Sequence, residues 1–207
     1  MGKLSIGFGY IWEMKMQVMC EVSVRHVHLS EGHVRELFGR TELTKARDLS
    51  QPGQFLAIER VDLVTEKSII RNVGIIGPSR GHTQVELSKT DCFALGLKNV
   101  PVRMSGDLGD AGDIILRTGD KEVKVKGGVI VAWRHVHLDP KTATEFGLID
   151  GQVVSLEFDT ERGGILNNAV VRVHPNYAPA AHIDTDEANA LGFNQGGKSG
   201  IRILAAK

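Results

Sequence analysis

Cysteine is nearly absent from this chain: Cys20 and Cys92 are the only two among 207 residues. That is too few for a disulfide scaffold or a cysteine-based zinc site, and it fits a reducing compartment such as the cytoplasm. Proline is scarce too, 6 residues against 24 glycines, which points to many turns and short elements rather than long helices. Net charge is missing, since 25 Lys and Arg balance 25 Asp and Glu with the eight histidines neutral. No field therefore steers the chain onto nucleic acid or an anionic membrane, and neither partner is expected. No run of about 18 apolar residues occurs, so no membrane span is expected. What remains is a hydrophobic content of 42%, enough for a buried core in one domain or two small ones.

Residues 1–20 read as an N-terminal extension. Ile6–Trp12 is apolar but short, with one lysine before it and Glu13 and Lys15 directly after. A secretory signal would need a longer apolar core and a small-residue cleavage site. The stretch reads instead as an extra strand, an amphipathic tail, or an extension upstream of a start at Met14, Met16 or Met19.

The strongest feature is an internal repeat. Arg25-His26-Val27-His28-Leu29-Ser30 returns as Arg134-His135-Val136-His137-Leu138-Asp139, each copy leading into a helix-like segment that stops at Phe38-Gly39 or Phe146-Gly147. Ser30 and Asp139 are suitable N-caps, and the glycines suit the left-handed position that ends a helix. Two weaker copies share the plan: Thr83–Ser88 before a segment ending at Gly96, and Ala180–Asp184 before one ending at Gly192. His28, Glu86, His137 and His182 each stand two positions before the cap, so a structural repeat places them equivalently at strand ends.

Between these modules lie β-branched runs bounded by Gly, Pro or Asp: Val61–Val64, Ser68–Ile76, Val123–Val125, Val129–Trp133, Val153–Phe158 and Ala169–Val173. The chain is therefore expected to be mainly β, with two small β-barrel domains and short capping helices. Two related halves suggest that the repeat modules meet between the two barrels.

In a strand, H-x-H projects both imidazoles to one face, roughly 6–7 Å apart at the Cα atoms. His26 with His28, and His135 with His137, are thus pairs able to share a divalent ion, and Glu86 and His182 bring the donors to six. Nitrogen and oxygen donors suit zinc or another late first-row metal, and six of them leave open positions on two ions. His33, His82 and His174 lack such company and read as surface or structural. Arg80, in the turn after Gly77-Pro78, is suited to forked recognition of phosphate or carboxylate. Arg25 and Arg134 face away from the histidines and read as supporting ion pairs. Gly192–Ser199 spells a G-x-x-x-x-G-K-S nucleotide loop, but a helix precedes it and a terminal strand, Ile201–Leu204, follows, so it reads as a Gly-rich turn.

In these motifs the chain closely resembles the PduL-type phosphate propanoyltransferases (phosphotransacylases). The resemblance is carried by VSVRHVHLS at 22–30, LSQPGQF at 49–55, GPSRGHTQVELSKTD at 77–91, PVRMSGD at 101–107, VIVAWRHVHLDP at 129–140 and HIDTDEANA at 182–190. It implies two barrels, one inserted in sequence within the other, with residues 21–42 and 133–207 in the first and 43–132 in the second. A two-zinc metal site at their interface would interconvert acyl-CoA plus phosphate with acyl phosphate plus CoA. His26, His28 and Glu86 would hold the first zinc together with the CoA sulfur; His135, His137 and His182 would hold the second. Arg80 matches the phosphate-binding arginine, and Ser23, Arg47 and Asn189 match CoA contacts, Arg47 standing where lysine is usual. The resemblance also implies a homo-oligomer in which Phe93 reaches a neighbouring chain.

Two departures stand out. Gly74 lies where the family usually has arginine, and residues 1–20 are short and show no clear amphipathic helix followed by a linker, the usual tag for a bacterial microcompartment. A free cytoplasmic enzyme is expected over an encapsulated one. The competing readings are a non-enzymatic zinc-binding structural module and a cupin-like metal-dependent oxygenase or hydrolase. The cupin pattern wants three or four residues between its H-x-H and the Glu, whereas only Leu29 and Ser30 separate His28 from Glu31.

Overall fold

The computed structural model describes residues 16–194 and 200–205. In chain order the first elements are strands β1 (Gln17–Ser23) and β2 (His26–His28), helix α1 (Glu31–Phe38), and strands β3 (Lys45–Asp48), β4 (Phe55–Val64), β5 (Ile69–Gly77) and β6 (Gln84–Leu87). Helix α2 (Lys89–Leu95) is followed by β7 (Val102–Arg103), β8 (Gly112–Thr118), β9 (Lys121–Ala132) and β10 (His135–Leu138). Then come α3 (Pro140–Phe146), β11 (Val153–Phe158), β12 (Gly164–Val173), β13 (Ala180–Asp184), α4 (Thr185–Ala190) and β14 (Gly200–Ala205).

These elements form two compact units. The first holds the described residues up to Val22, Arg134–Ile183 and those from Glu187 onward. Its strands close a barrel in the order β1-β13-β10-β12-β11-β14, sealed where Gln17 of β1 pairs with Arg202 of β14. Period-two alternation turns Val18 and Cys20 of β1 inward against Val136, Leu156, Ile183 and Ile203 while Met19 faces out.

The second unit holds Ser23–Trp133 with Asp184–Asp186. Its ladders run β4-β5-β2-β6-β9-β8, and β8 pairs back onto β4, so this sheet also closes on itself. Strand β3 adds to β4, and β7 to β9. Its core is built on Val27, Leu29, Leu63, Ile75, Val85 and Leu116.

Two expectations change. Residues from Gln17 onward are barrel strand rather than extension, because Val18 and Cys20 are core. Residues 23–42 belong with the second unit: β2 pairs with β5 and β6, and α1 buries Val34 and Leu37 in that unit's core. Residues 1–15 of the expected extension, and 195–199 of the Gly-rich turn, lie outside the described residues. No described helix is long and apolar enough to cross a membrane.

Candidate functional site

In the second unit, His26 pairs across the β2–β6 ladder with Glu86, and His28 with Gln84. Val27 points into the core and the two imidazoles share the other face, their ring centroids 5.0 Å apart. The Nδ1 of His26 lies 2.8 Å from the Val24 carbonyl and that of His28 lies 3.1 Å from the Ile76 carbonyl. A carbonyl only accepts, so each Nδ1 carries a proton and Nε2 is the nitrogen left to face the site. Both Nε2 atoms face Glu86, at 3.5 Å from Oε2 for His26 and 3.9 Å from Oε1 for His28. Two ligands with bonds of about 2.0 Å at a tetrahedral ion stand roughly 3.3 Å apart, so this spacing fits a metal. Burial, helped by His26 and Arg80 and opposed by Glu86, holds His28 well below the usual imidazole range, hence neutral.

In the first unit the same register places His135 across from His182, and His137 across from Ala180. The rings of His135, His137 and His182 lie 4.6–5.0 Å apart at their centroids. Both ring nitrogens of His137 are buried without a hydrogen-bond partner. Burial first, then His135, His182 and Arg172, pushes His137 down to about 2, leaving a neutral imidazole with an available lone pair. Tyr177 stacks on His137 at 4.0 Å, and Glu21 stands 3.9 Å from His182 Nδ1. In each unit one His, Cys or carboxylate donor atom per residue gathers within 4.8 Å, so both groups have the donor chemistry of a divalent-cation site.

Local sequence fixes these strands. Ser30, Ser88 and Asp139 cap α1, α2 and α3 through their side-chain oxygens, and Gly39, Gly96 and Gly147 end those helices in the left-handed conformation. Arg25 binds Asp91 at 2.7 Å, and Arg134 binds Glu187 at 2.6 Å. Each arginine precedes the first histidine of its pair, and each acid lies five residues beyond the third donor. Both arginines thus serve as the ion pairs expected of them, tying the H-x-H strand to the helix that follows the partner strand.

Arg80 donates its backbone N–H to the Leu29 carbonyl at 2.9 Å and its Nη1 to Ser105 Oγ at 3.1 Å. With His28, Pro52, Gly53, Gln54, Gly77 and Pro78 it lines a pocket of about 350 Å³. The structure therefore brings Arg80 and one metal-competent cluster to the same opening. Ser23 ends β1, Arg47 is exposed on β3, and Asn189 is exposed on α4; Ser23 and Arg47 fall in the second unit and Asn189 in the first. Gly74 is the parallel register partner of His26, and a Cβ there would come 3.2 Å from Leu56 Cδ1. Phe93 is 78% exposed, with the Lys67 ammonium 4.7 Å from its ring centroid. His33 bonds Thr83 Oγ1 at 2.7 Å and His174 accepts from the Asn176 N–H, neither among the donor groups.

Gln84, Ser105 and Tyr177 are the contacts that sequence reasoning missed. Gln84 was findable, since it lies two residues before Glu86 on the same strand face. Ser105 and Tyr177 sit in loops, where no periodicity points to a site.

A sequence model of the phosphate propanoyltransferase family matches residues 19–194. A phosphate propanoyltransferase of Alkaliphilus metalliredigens is 47% identical over 182 residues, covering 87% of this chain and 85% of the relative. One from Listeria monocytogenes is 46% identical over 180 residues, covering 86% and 84% respectively. One from Thermotoga maritima is 44% identical over 182 residues, covering 86% of each.

Proposed function

The chain belongs to the phosphate propanoyltransferase family, and on that premise we propose that it interconverts propanoyl-CoA or acetyl-CoA plus phosphate with the acyl phosphate plus CoA. Membership makes it a phosphate acyltransferase, and the structural-module and oxygenase readings give way to that. The observation that carries the finer reading is the shared pocket of Arg80 and His28, beside a three-donor cluster whose register recurs around His135.

His26, His28 and Glu86 would hold one zinc and His135, His137 and His182 a second, which when bound would lower the pKa of a thiol and act as Lewis acid toward phosphate oxygens. Arg80 offers a planar fork of N–H donors that matches two phosphate oxygens at once. In the CoA-acylating direction the thiolate attacks the acyl carbon of the acyl phosphate. The S–C bond forms, the C–O bond to phosphate breaks, and the departing oxygen keeps the electron pair. Arg80 stabilises the charge that collects there. Pro52, Gly53, Gly77 and Pro78 supply small walls that suit a short acyl group. Arg47 is a fitting partner for a CoA phosphate, with Ser23 and Asn189 as further CoA contacts. Gly74 removes one guanidinium that relatives of the PduL type usually place in β5. Assembly into a homo-oligomer and a cytoplasmic location are part of the same proposal.

The test is thioester formation from CoA and acetyl or propanoyl phosphate by the purified protein, before and after chelation and with zinc added back. Turnover lost on chelation and recovered with zinc is the expected result. Absence of turnover in protein that has taken up zinc would overturn the proposal.

A further inference from the structure

Around Glu86 the second unit carries a polar network that none of the assigned roles uses. Ser105 lies in the loop after β7, far from Glu86 in sequence. Its hydroxyl donates to Glu86 Oε1 at 2.8 Å and accepts from Gln84 Nε2 at 3.0 Å and from Arg80 Nη1 at 3.1 Å. A serine hydroxyl has one donor and two acceptor sites, so all three are used. Gln84 Nε2 also donates to Glu86 Oε1 at 2.6 Å, while its Oε1 accepts from the Gly106 N–H at 2.8 Å. That backbone contact sets which end of the Gln84 amide faces Glu86.

We propose that Ser105 is a positioning residue, coupling the anion-binding guanidinium of Arg80 to the metal-facing carboxylate of Glu86. The inference rests on the transferase reading and deepens it. Ser105 and Gln84 together hold Glu86 Oε1, so the carboxylate is turned with Oε2 toward His26 Nε2, 3.5 Å away. Glu86 is thereby set to bind a cation through Oε2, in one orientation. The same hydroxyl accepts from Arg80, so the fork that would take phosphate has its place defined relative to the ligand oxygen.

The first unit is built differently at the matching positions. Ala180 occupies the place opposite His137 that Gln84 occupies opposite His28, and Tyr177 covers His137 by stacking instead. The two clusters share a strand register but differ in what steadies their donors. Ser105 links the His26 cluster to Arg80 at the pocket.

The experiment compares wild type, Ser105→Ala and Ser105→Thr, each stripped of metal and titrated with zinc against a chromophoric chelator. Initial rates are then measured over a range of phosphate. Loss of a residue that orients a metal ligand costs roughly 10- to 100-fold in affinity. Ser105→Ala is expected to weaken one zinc by that factor, leave the other unchanged and raise the phosphate KM several-fold; Ser105→Thr, which keeps the hydroxyl, restores both. Zinc affinity and phosphate KM within twofold of wild type in Ser105→Ala would overturn the proposal. So would equal weakening of both zinc ions together with a lowered Tm, which marks general damage. Should wild type bind zinc yet turn nothing over, the transferase reading fails, while the zinc titration still decides whether Ser105 positions Glu86.

Discussion

His135 stands directly across the β10–β13 ladder from His182, as His26 stands across the β2–β6 ladder from Glu86. In both units the H-x-H strand runs parallel to one neighbour, β12 or β5, and antiparallel to the other, β13 or β6. Residues directly opposite in a ladder share a sheet face, so a donor at this position meets both histidines without any loop to bring it there. One register, used twice, makes two three-donor groups.

Replacing His137 with Ala leaves His135 and His182 as an incomplete set. Zinc bound per chain, measured by elemental analysis after dialysis, is expected to fall from two to one. A content still near two would contradict the assignment of His137 as a ligand.

Arg80→Ala removes the fork at the pocket while leaving all six donor side chains present. The rate at limiting phosphate is expected to drop about 100-fold or more, the size typical of losing a preorganised donor at developing charge. Arg80→Lys should recover only part of it, because an ammonium cannot make the paired contact. Unchanged phosphate kinetics in the alanine variant would remove Arg80 from the site.

The pair of Arg134 with Glu187 is partly buried, and Arg134 also donates to the Asn167 carbonyl. Arg134→Gln is expected to cost about 1–3 kcal/mol, as for hydrogen bonds to charged groups. That lowers Tm by a few degrees in calorimetry. It should also weaken zinc at the His135 group and leave the His26 group alone. A Tm and zinc affinities matching wild type would show that the ion pair steadies nothing.

Burial, reinforced by the carboxylates of Glu21 and Glu187, pushes the Cys20 thiol up to about 12. Burial likewise raises Cys92 to about 11, against the pull of Lys89. Because both values are raised, the reactive thiolate is scarce until the pH nears them. Iodoacetamide at pH 8 should therefore label neither cysteine in the folded chain and both in denaturant, as read by mass spectrometry. Rapid labelling of Cys20 under native conditions would contradict its place in the barrel core.

Much of the site is legible in the sequence because strand periodicity is short-ranged: His26 with His28, and the caps at Ser30 and Asp139, need only neighbouring residues to be read. The third donors are legible only through the repeat, which puts Glu86 and His182 in equivalent places before any pairing is known. Residues 23–42 are misassigned from sequence because their partners, Ile75 and Val85, are distant in the chain. Strand β3 carries no apolar alternation, its four residues all being exposed.

The two runs expected around Val125 and Val129 are one strand, β9. The Gly127-Gly128 pair, which looks like a break, is where the ladder to β8 skips register between Gly112 and Ile114. Gly127 takes a φ of 58°, and a Cβ on Gly128 would lie 2.3 Å from Val125 Cγ1 and 2.8 Å from the Thr83 carbonyl oxygen.

The sealing of the first barrel by β1 against β14 also sets an order of events during synthesis. Every strand of the second barrel lies within Ser23–Trp133, so that barrel has all its ladder partners once Trp133 has left the ribosome. Strand β1 must meanwhile wait for β14, with its edge toward that strand unpaired. Domains fold as units while the chain emerges, the N-terminal material first. The barrel bearing His26, His28 and Glu86 thus has its full set of partners early in elongation, and the one bearing His135, His137 and His182 gains its closing pair only when β14 has emerged.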